Sequence, residues 1–142
     1  MTSRPLTLLA FDFGTRRIGV AVGQTLTASV RPLTTLAYRD HKPDWECIST
    51  LIREWQPDRL VVGLPLHMDG SEQEMTRLAR RFGNQLKGRY NLPVDMVDER
   101  LTSEEAERVM QQRDKKNRNT KIDALAAQLI LESWLAQQPQ EP

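Results

Sequence analysis

Two hydrophobic periods run along this chain. The first third carries short apolar runs: Leu6 to Phe13, Ile18 to Gly23 and Thr27 to Tyr38, each predicting a β-strand. Few residues separate the first two runs, so they form an antiparallel hairpin. In the first, Leu8, Leu9, Ala10, Phe11 and Phe13 suit a central strand covered on both faces. Pro32 predicts an edge or a bulge in the third. From Trp45 the spacing becomes helical. Trp45, Ile48, Leu51, Ile52 and Trp55 share one face, Asp44 is the candidate N-cap and Pro57 the stop. Arg59 to Gly63 reads as a buried strand, followed by the loop LPLHMDG. Ser71 and Glu74 have capping-box spacing and predict a helix to about Lys87, with core residues Met75, Leu78, Ala79, Phe82 and Leu86 and a stop at Gly88. Pro93 to Asp98 is a further strand. Thr102 and Glu105 predict a helix carrying Ala106, Val109 and Met110. Gln111 to Asn119 reads as a loop, and Thr120 caps a last helix to about Gln137. The order βββαβαβαα predicts an α/β fold: an antiparallel three-stranded meander, then parallel strands joined by right-handed crossovers, with helices packed on the mixed sheet.

Composition narrows the class. The 142 residues predict one domain spanning 1–142, with flexible ends over 1–5 and 137–142. Twenty Lys and Arg against nineteen Asp and Glu give a formal charge of +1, so any nucleic-acid contact must come from a local patch. The one cysteine, Cys47, excludes an internal disulfide framework and a cysteine-based zinc site. His41 and His67 have no ligand spacing. Without a leader-like N-terminus or a bilayer-length apolar run, the expectation is a cytoplasmic protein with no membrane partner.

The candidate chemistry lies in the acidic residues. Asp12 ends the first strand, where Gly14 permits a tight turn and close approach by a ligand. In open α/β sheets ligands bind beyond the carboxyl ends of the parallel strands. Asp98 and Glu99 end the strand Pro93 to Asp98, and alternation prevents both from facing inward. Asp123, in the first turn of the last helix, continues a stripe of Ala126, Ala127, Ile130 and Trp134. Collected at one rim, these carboxylates would repel unless a divalent cation neutralised them. Oxygen-only ligands suit Mg²⁺ or Mn²⁺. Separately, each has an ordinary structural explanation as a turn residue, a loop start or a dipole-matched helix start.

Basic residues supply a partner. The run Arg113 to Lys121 holds five cations and one Asp just before Asp123. Lys115, Lys116, Arg118 and Lys121 could grip the phosphates of a nucleic acid, as could Arg16, Arg17 and Arg100 at the same rim. A solvated charged loop is the plainer alternative. Gly63, Pro65 and Asp69 to Ser71 border the rim or simply connect strand to helix. Trp45, Trp55 and Trp134 fall on core faces and predict packing.

Four motifs together resemble one family: the DFGT opening through IGVAVG, the VVGLPLHMDG loop, VDERLT, and the KIDALAA helix. They are similar to the YqgF (RuvX-type) family of Holliday-junction-resolvase-like proteins, also described as pre-16S rRNA nucleases. The match runs from about Leu6 to Leu135. The resemblance implies an RNase H-like fold, a divalent-metal nuclease site of Asp12, Glu99 and Asp123, and a role in 5′-end maturation of 16S ribosomal RNA. It selects Glu99 over Asp98. The alternatives are a resolvase for branched DNA, which requires a homodimer for paired cuts; a non-catalytic RNA-binding assembly factor; and an ATPase of the actin and sugar-kinase type. The last needs two such domains.

Overall fold

The computed structural model describes residues 4–14, 16–101, 108 and 120–138. One six-stranded sheet has the order β4-β3-β2-β1-β5-β6. Its strands are β1 (Thr7–Phe13), β2 (Arg17–Gln24), β3 (Ser29–Arg39), the two-residue β4 (Lys42–Pro43), β5 (Arg59–Leu64) and β6 (Val94–Asp98). β1 to β4 pair antiparallel in sequence order. β5 joins β1 and β6 joins β5 in parallel. The meander and the parallel half therefore meet at β1, which is buried from Leu8 to Phe13.

Among the described residues three helices cover the sheet: α1 (Trp45–Trp55), α2 (Glu74–Tyr90) and α3 (Thr120–Gln137). α1 and α2 lie on one face. Leu9, Phe11, Phe13, Val20 and Val62 meet Ile48, Ala79, Phe82 and Leu86 there. Phe82 anchors this side, with Phe11 edge-on at 5.6 Å and Trp45 stacked at 5.8 Å. α3 lies on the other face, where Leu8, Ala10, Val61 and Val97 pack on Ile130, Leu131 and Trp134. Alternation along β1 thus feeds two cores. Burying side chains such as these stabilises by roughly 1.5–3 kcal/mol each. Trp134 also donates its indole N–H to Asp95, which accepts from Arg59 as well.

Local signals hold at most boundaries. Asp44 accepts from the Cys47 amide as the N-cap of α1. Opposite Pro32 the β2–β3 register shifts between Val20 and Ala21, the bulge that a proline without an N–H imposes. Three boundaries differ. β3 starts at Ser29, because Thr25 to Ala28 form a turn with Ala28 at φ +50°. α2 opens at Glu74, not Ser71: the Ser71 hydroxyl is spent on Asp69, and the capping box is formed by Gln73 and Thr76. α2 also runs past Gly88 to Tyr90 and stops where Asn91 turns left-handed and donates to the Lys87 carbonyl. The helix predicted from Thr102, apart from Arg108, the loop Gln111 to Asn119, and 1–3 and 139–142 of the ends lie outside the described residues. No helix among the described residues is long and apolar enough to cross a membrane.

Candidate active site at the carboxyl rim of the sheet

Asp12 stands near the end of a strand buried from Leu8 onward and is itself 2% exposed. In the β1–β2 register it lies opposite Gly19. Directly opposed residues of an antiparallel pair share a face and sit about 4.5–5.5 Å apart at Cα. Gly19 shows which face. A Cβ built there would lie 1.9 Å from the Asp123 carbonyl oxygen and 2.9 Å from the Ala124 amide nitrogen. The first turn of α3 therefore rests directly on the Gly19 backbone, and Asp12 points toward α3. Any side chain larger than hydrogen at Gly19 would separate these elements.

Glu99 reaches the same face from the other side. The register Phe11–Val62 and Val62–Met96 places Asp12, Gly63 and Val97 one step further along β1, β5 and β6. A Cβ at Gly63 would lie 2.7 Å from Glu99 Oε1 and 2.4 Å from Ile130 Cδ1. The Glu99 carboxylate thus lies over Gly63, on the α3 side. Val97 faces α3 within the second core. Alternation sends Asp98 to the opposite face and returns Glu99, in a short 3₁₀ turn (Glu99–Leu101), to the α3 side.

Asp98 has a structural role. Its Oδ2 accepts from Arg100 Nη2 at 2.7 Å, and its Oδ1 accepts from the Arg100 amide at 2.9 Å. The Arg100 guanidinium beside it holds its carboxyl below the usual carboxylate range. Arg100 also donates to the Met68 carbonyl at 3.3 Å. This straps β6 to the loop after β5. In that loop the Gly70 amide donates to the His67 carbonyl, and Asp69 accepts from the Ser71 amide and hydroxyl. Met68, 86% exposed, projects from the turn. The Pro65 carbonyl accepts from the buried Thr76 hydroxyl at the start of α2. Of the bordering residues, Gly63 makes room for a carboxylate, while Asp69 to Ser71 shape the turn.

Asp123 is 2% exposed, and its Oδ2 lies 2.9 Å from Arg17 Nε at the start of β2. Composition and spacing held no signal for this pair; only the β1–β2 turn and the docking of α3 bring it together. The expected stripe is buried throughout: Asp123, Ala126, Ala127, Ile130 and Trp134 are at most 5% exposed. Arg16 is exposed in the turn. Lys115, Lys116 and Arg118 lie outside the described residues, as does the side chain of Lys121.

The donor chemistry fits a hard divalent cation. Two buried acids and a third share one rim and one side of the sheet, above two glycines that leave them room. Among the described residues, no group of three or more His, Cys, Asp and Glu side chains is arranged to hold a metal ion. The three acids lie on the same side of the sheet, and the Asp123 carboxylate lies beside Arg17.

Residues 6–137 match the family described as "RuvX: Holliday junction resolvase". A Saccharophagus degradans protein is 50% identical over 144 aligned residues, covering 100% of both chains. A Nitrosococcus oceani protein is 55% identical over 96% of this chain and 90% of its own. A Haemophilus ducreyi protein is 53% identical over 94% and 98%. All three bear the name "Putative pre-16S rRNA nuclease". Among solved structures, Thermus thermophilus RuvC in complex with Holliday junction substrate superposes with a TM-score of 0.53 at 15% identity, covering 92% of this chain and 95% of that one. The fowlpox virus Holliday junction resolvase superposes with a TM-score of 0.53 at 13% identity, covering 94% and 100%. At such identities the likeness shows the fold alone, the RNase H-like arrangement that the motifs implied.

Proposed function

This chain belongs to the RuvX family, and from that premise we propose that it is a divalent-metal-dependent endonuclease acting in 5′-end maturation of pre-16S rRNA. One observation carries the reading: Asp12, Glu99 and Asp123, from three distant segments, share one rim on the α3 side. In this reading they are the ligands of Mg²⁺ or Mn²⁺. The bound ion supplies an activated water and neutralises charge developing on the phosphodiester.

The chain's own residues do the rest. Asp12, held by the ladders on both sides of β1, is the fixed ligand. Glu99 sits just past β6 and adjusts by side-chain rotation over Gly63. Asp123 enters from the first turn of α3. Arg16, exposed between β1 and β2, meets substrate phosphate in this reading, and Lys115, Lys116, Arg118 and Lys121 complete the basic surface. Arg100 holds the bordering loop through Met68. Such a protein works in the cytoplasm, where the precursor RNA is.

Asp12→Asn tests the reading. The variant is nearly isosteric, so it should fold and lose cleavage of a precursor 16S RNA. Undiminished cleavage by a rigorously purified variant refutes the assignment. The family description favours a second reading, resolution of branched DNA, which would require a homodimer for paired cuts. Cleavage of a four-way junction against precursor RNA, under one metal condition, decides between them.

A further inference from the structure

The structure pairs Arg17 with the buried Asp123 at 2.9 Å, while no three-acid group among the described residues is set to hold a metal. We propose that Arg17 is a built-in counter-cation, which Asp123 exchanges for a divalent ion when the site is loaded. The inference rests on the metal-site reading above and goes beyond it in assigning a role to Arg17.

The physical argument has three steps. Asp123 is 2% exposed, so its charge needs compensation whether or not a metal is bound. Arg17 provides it through a side chain that keeps 28% of its surface in solvent. The arginine is therefore inside enough to neutralise Asp123 and outside enough to leave. The backbone of Asp123 cannot come closer to the sheet, because its carbonyl is already seated on Gly19 opposite Asp12. The approach to Asp12 therefore falls to the carboxylate, which turns from Arg17 toward it. Exchange then has a second consequence. Arg17 is released at the first residue of β2, beside the exposed Arg16 in the turn that follows Asp12. A guanidinium spent on a carboxylate becomes available for a substrate phosphate. Metal binding and nucleic-acid binding are thereby coupled with the same sign, and by linkage each strengthens the other.

The test is Mn²⁺ binding to metal-free protein, measured by titration calorimetry. Removing the competitor in Arg17→Gln should tighten Mn²⁺ binding by about fivefold or more, within the usual range of such couplings. Thermal unfolding in chelator should show this variant less stable than the parent, with Mn²⁺ restoring more of its melting temperature than it adds to the parent. Arg16→Gln removes the same charge one residue away and should leave Mn²⁺ affinity within about twofold. Unchanged or weaker affinity in Arg17→Gln overturns the proposal. Loss of Mn²⁺ binding in Glu99→Gln shows that the metal-site reading stands when Arg17→Gln fails. Binding undiminished in Glu99→Gln overturns both. A second measurement needs no variant. The Arg17 Nε resonance of the parent protein, followed during a Mg²⁺ titration, should shift as the Asp123 carboxylate 2.9 Å from it moves away. A resonance unmoved at saturating Mg²⁺ refutes the exchange.

Discussion

Gly19→Ala is the most direct test of how α3 is seated. The added Cβ would fall 1.9 Å from the Asp123 carbonyl oxygen and 2.3 Å from its carbonyl carbon. Both are backbone atoms, so no rotamer relieves the overlap. Restoring even 3.0 Å requires the first turn of α3, or β2 itself, to retreat by about 1 Å or more. Overpacking a filled interior costs about 1–3 kcal/mol, and an immovable backbone partner places this change at the upper end. For a protein of this size, about 3 kcal/mol lowers the melting temperature by roughly 6–12 °C. Retreat of α3 also carries Asp123 away from Asp12, and about 1 Å of misplacement costs on the order of 10²-fold in rate. The assay is urea and thermal unfolding followed by circular dichroism, with RNA cleavage measured well below the melting temperature. Gly88→Ala is the control. It too lies within a defined element, but its Cβ would meet nothing within 4 Å, so it should stabilise by about 0.5–1 kcal/mol through helix propensity. A Gly19→Ala protein that unfolds within about 0.5 kcal/mol of the parent and cleaves normally refutes this account of the site.

Gly63→Ala should separate stability from activity. Its Cβ would meet side-chain ends, Ile130 Cδ1 and Glu99 Oε1, which can swing away. Unfolding should change by less than about 1.5 kcal/mol, while cleavage falls at least about tenfold as the Glu99 carboxylate is displaced; the reverse pattern counts against Glu99 as a site residue. Asp98→Asn probes the strap to Arg100 by pH. The folded-state carboxyl of Asp98 is depressed below its unfolded value of about 3.9. Its contribution is therefore present above that pH and lost as pH falls through the folded value. The stability gap between parent and variant, from urea unfolding at a series of pH values, should be open at pH 7 and narrow below about pH 4; a gap that widens on acidification refutes the pairing.

The elements themselves were legible because each is specified by its own residues. The apolar run Leu8 to Phe13 reads as a strand buried on both faces without knowledge of its neighbours, since either face must find cover. The stripe from Asp123 to Trp134 reads as a sheet-facing helix because spacing on one helix is a local property. Asp44 capped its helix because the bond reaches only to Cys47. Where prediction failed, competition was the reason. Ser71 has the spacing of a helix cap, yet its hydroxyl is drawn into the Asp69 turn, and the helix waits for Gln73. Gly88 has the composition of a stop, but Asn91 supplies the left-handed terminus.

By itself, then, the chain determined the kind and order of its elements and the residues able to do acid chemistry: Asp12 at a strand end, Asp98 or Glu99 at another, Asp123 at a helix start. The choice between Asp98 and Glu99 could not come from alternation along β6, because alternation says that they differ and not which side α3 covers. Tertiary structure shows which side each takes: Val97 packs beneath α3, and Glu99 lies over Gly63 on that same side. It also turned Gly19 and Gly63 from ordinary strand glycines into the seats of a helix and a carboxylate, and it gave Asp123 to Arg17. Such facts belong to contacts between distant segments, and no residue carries them alone.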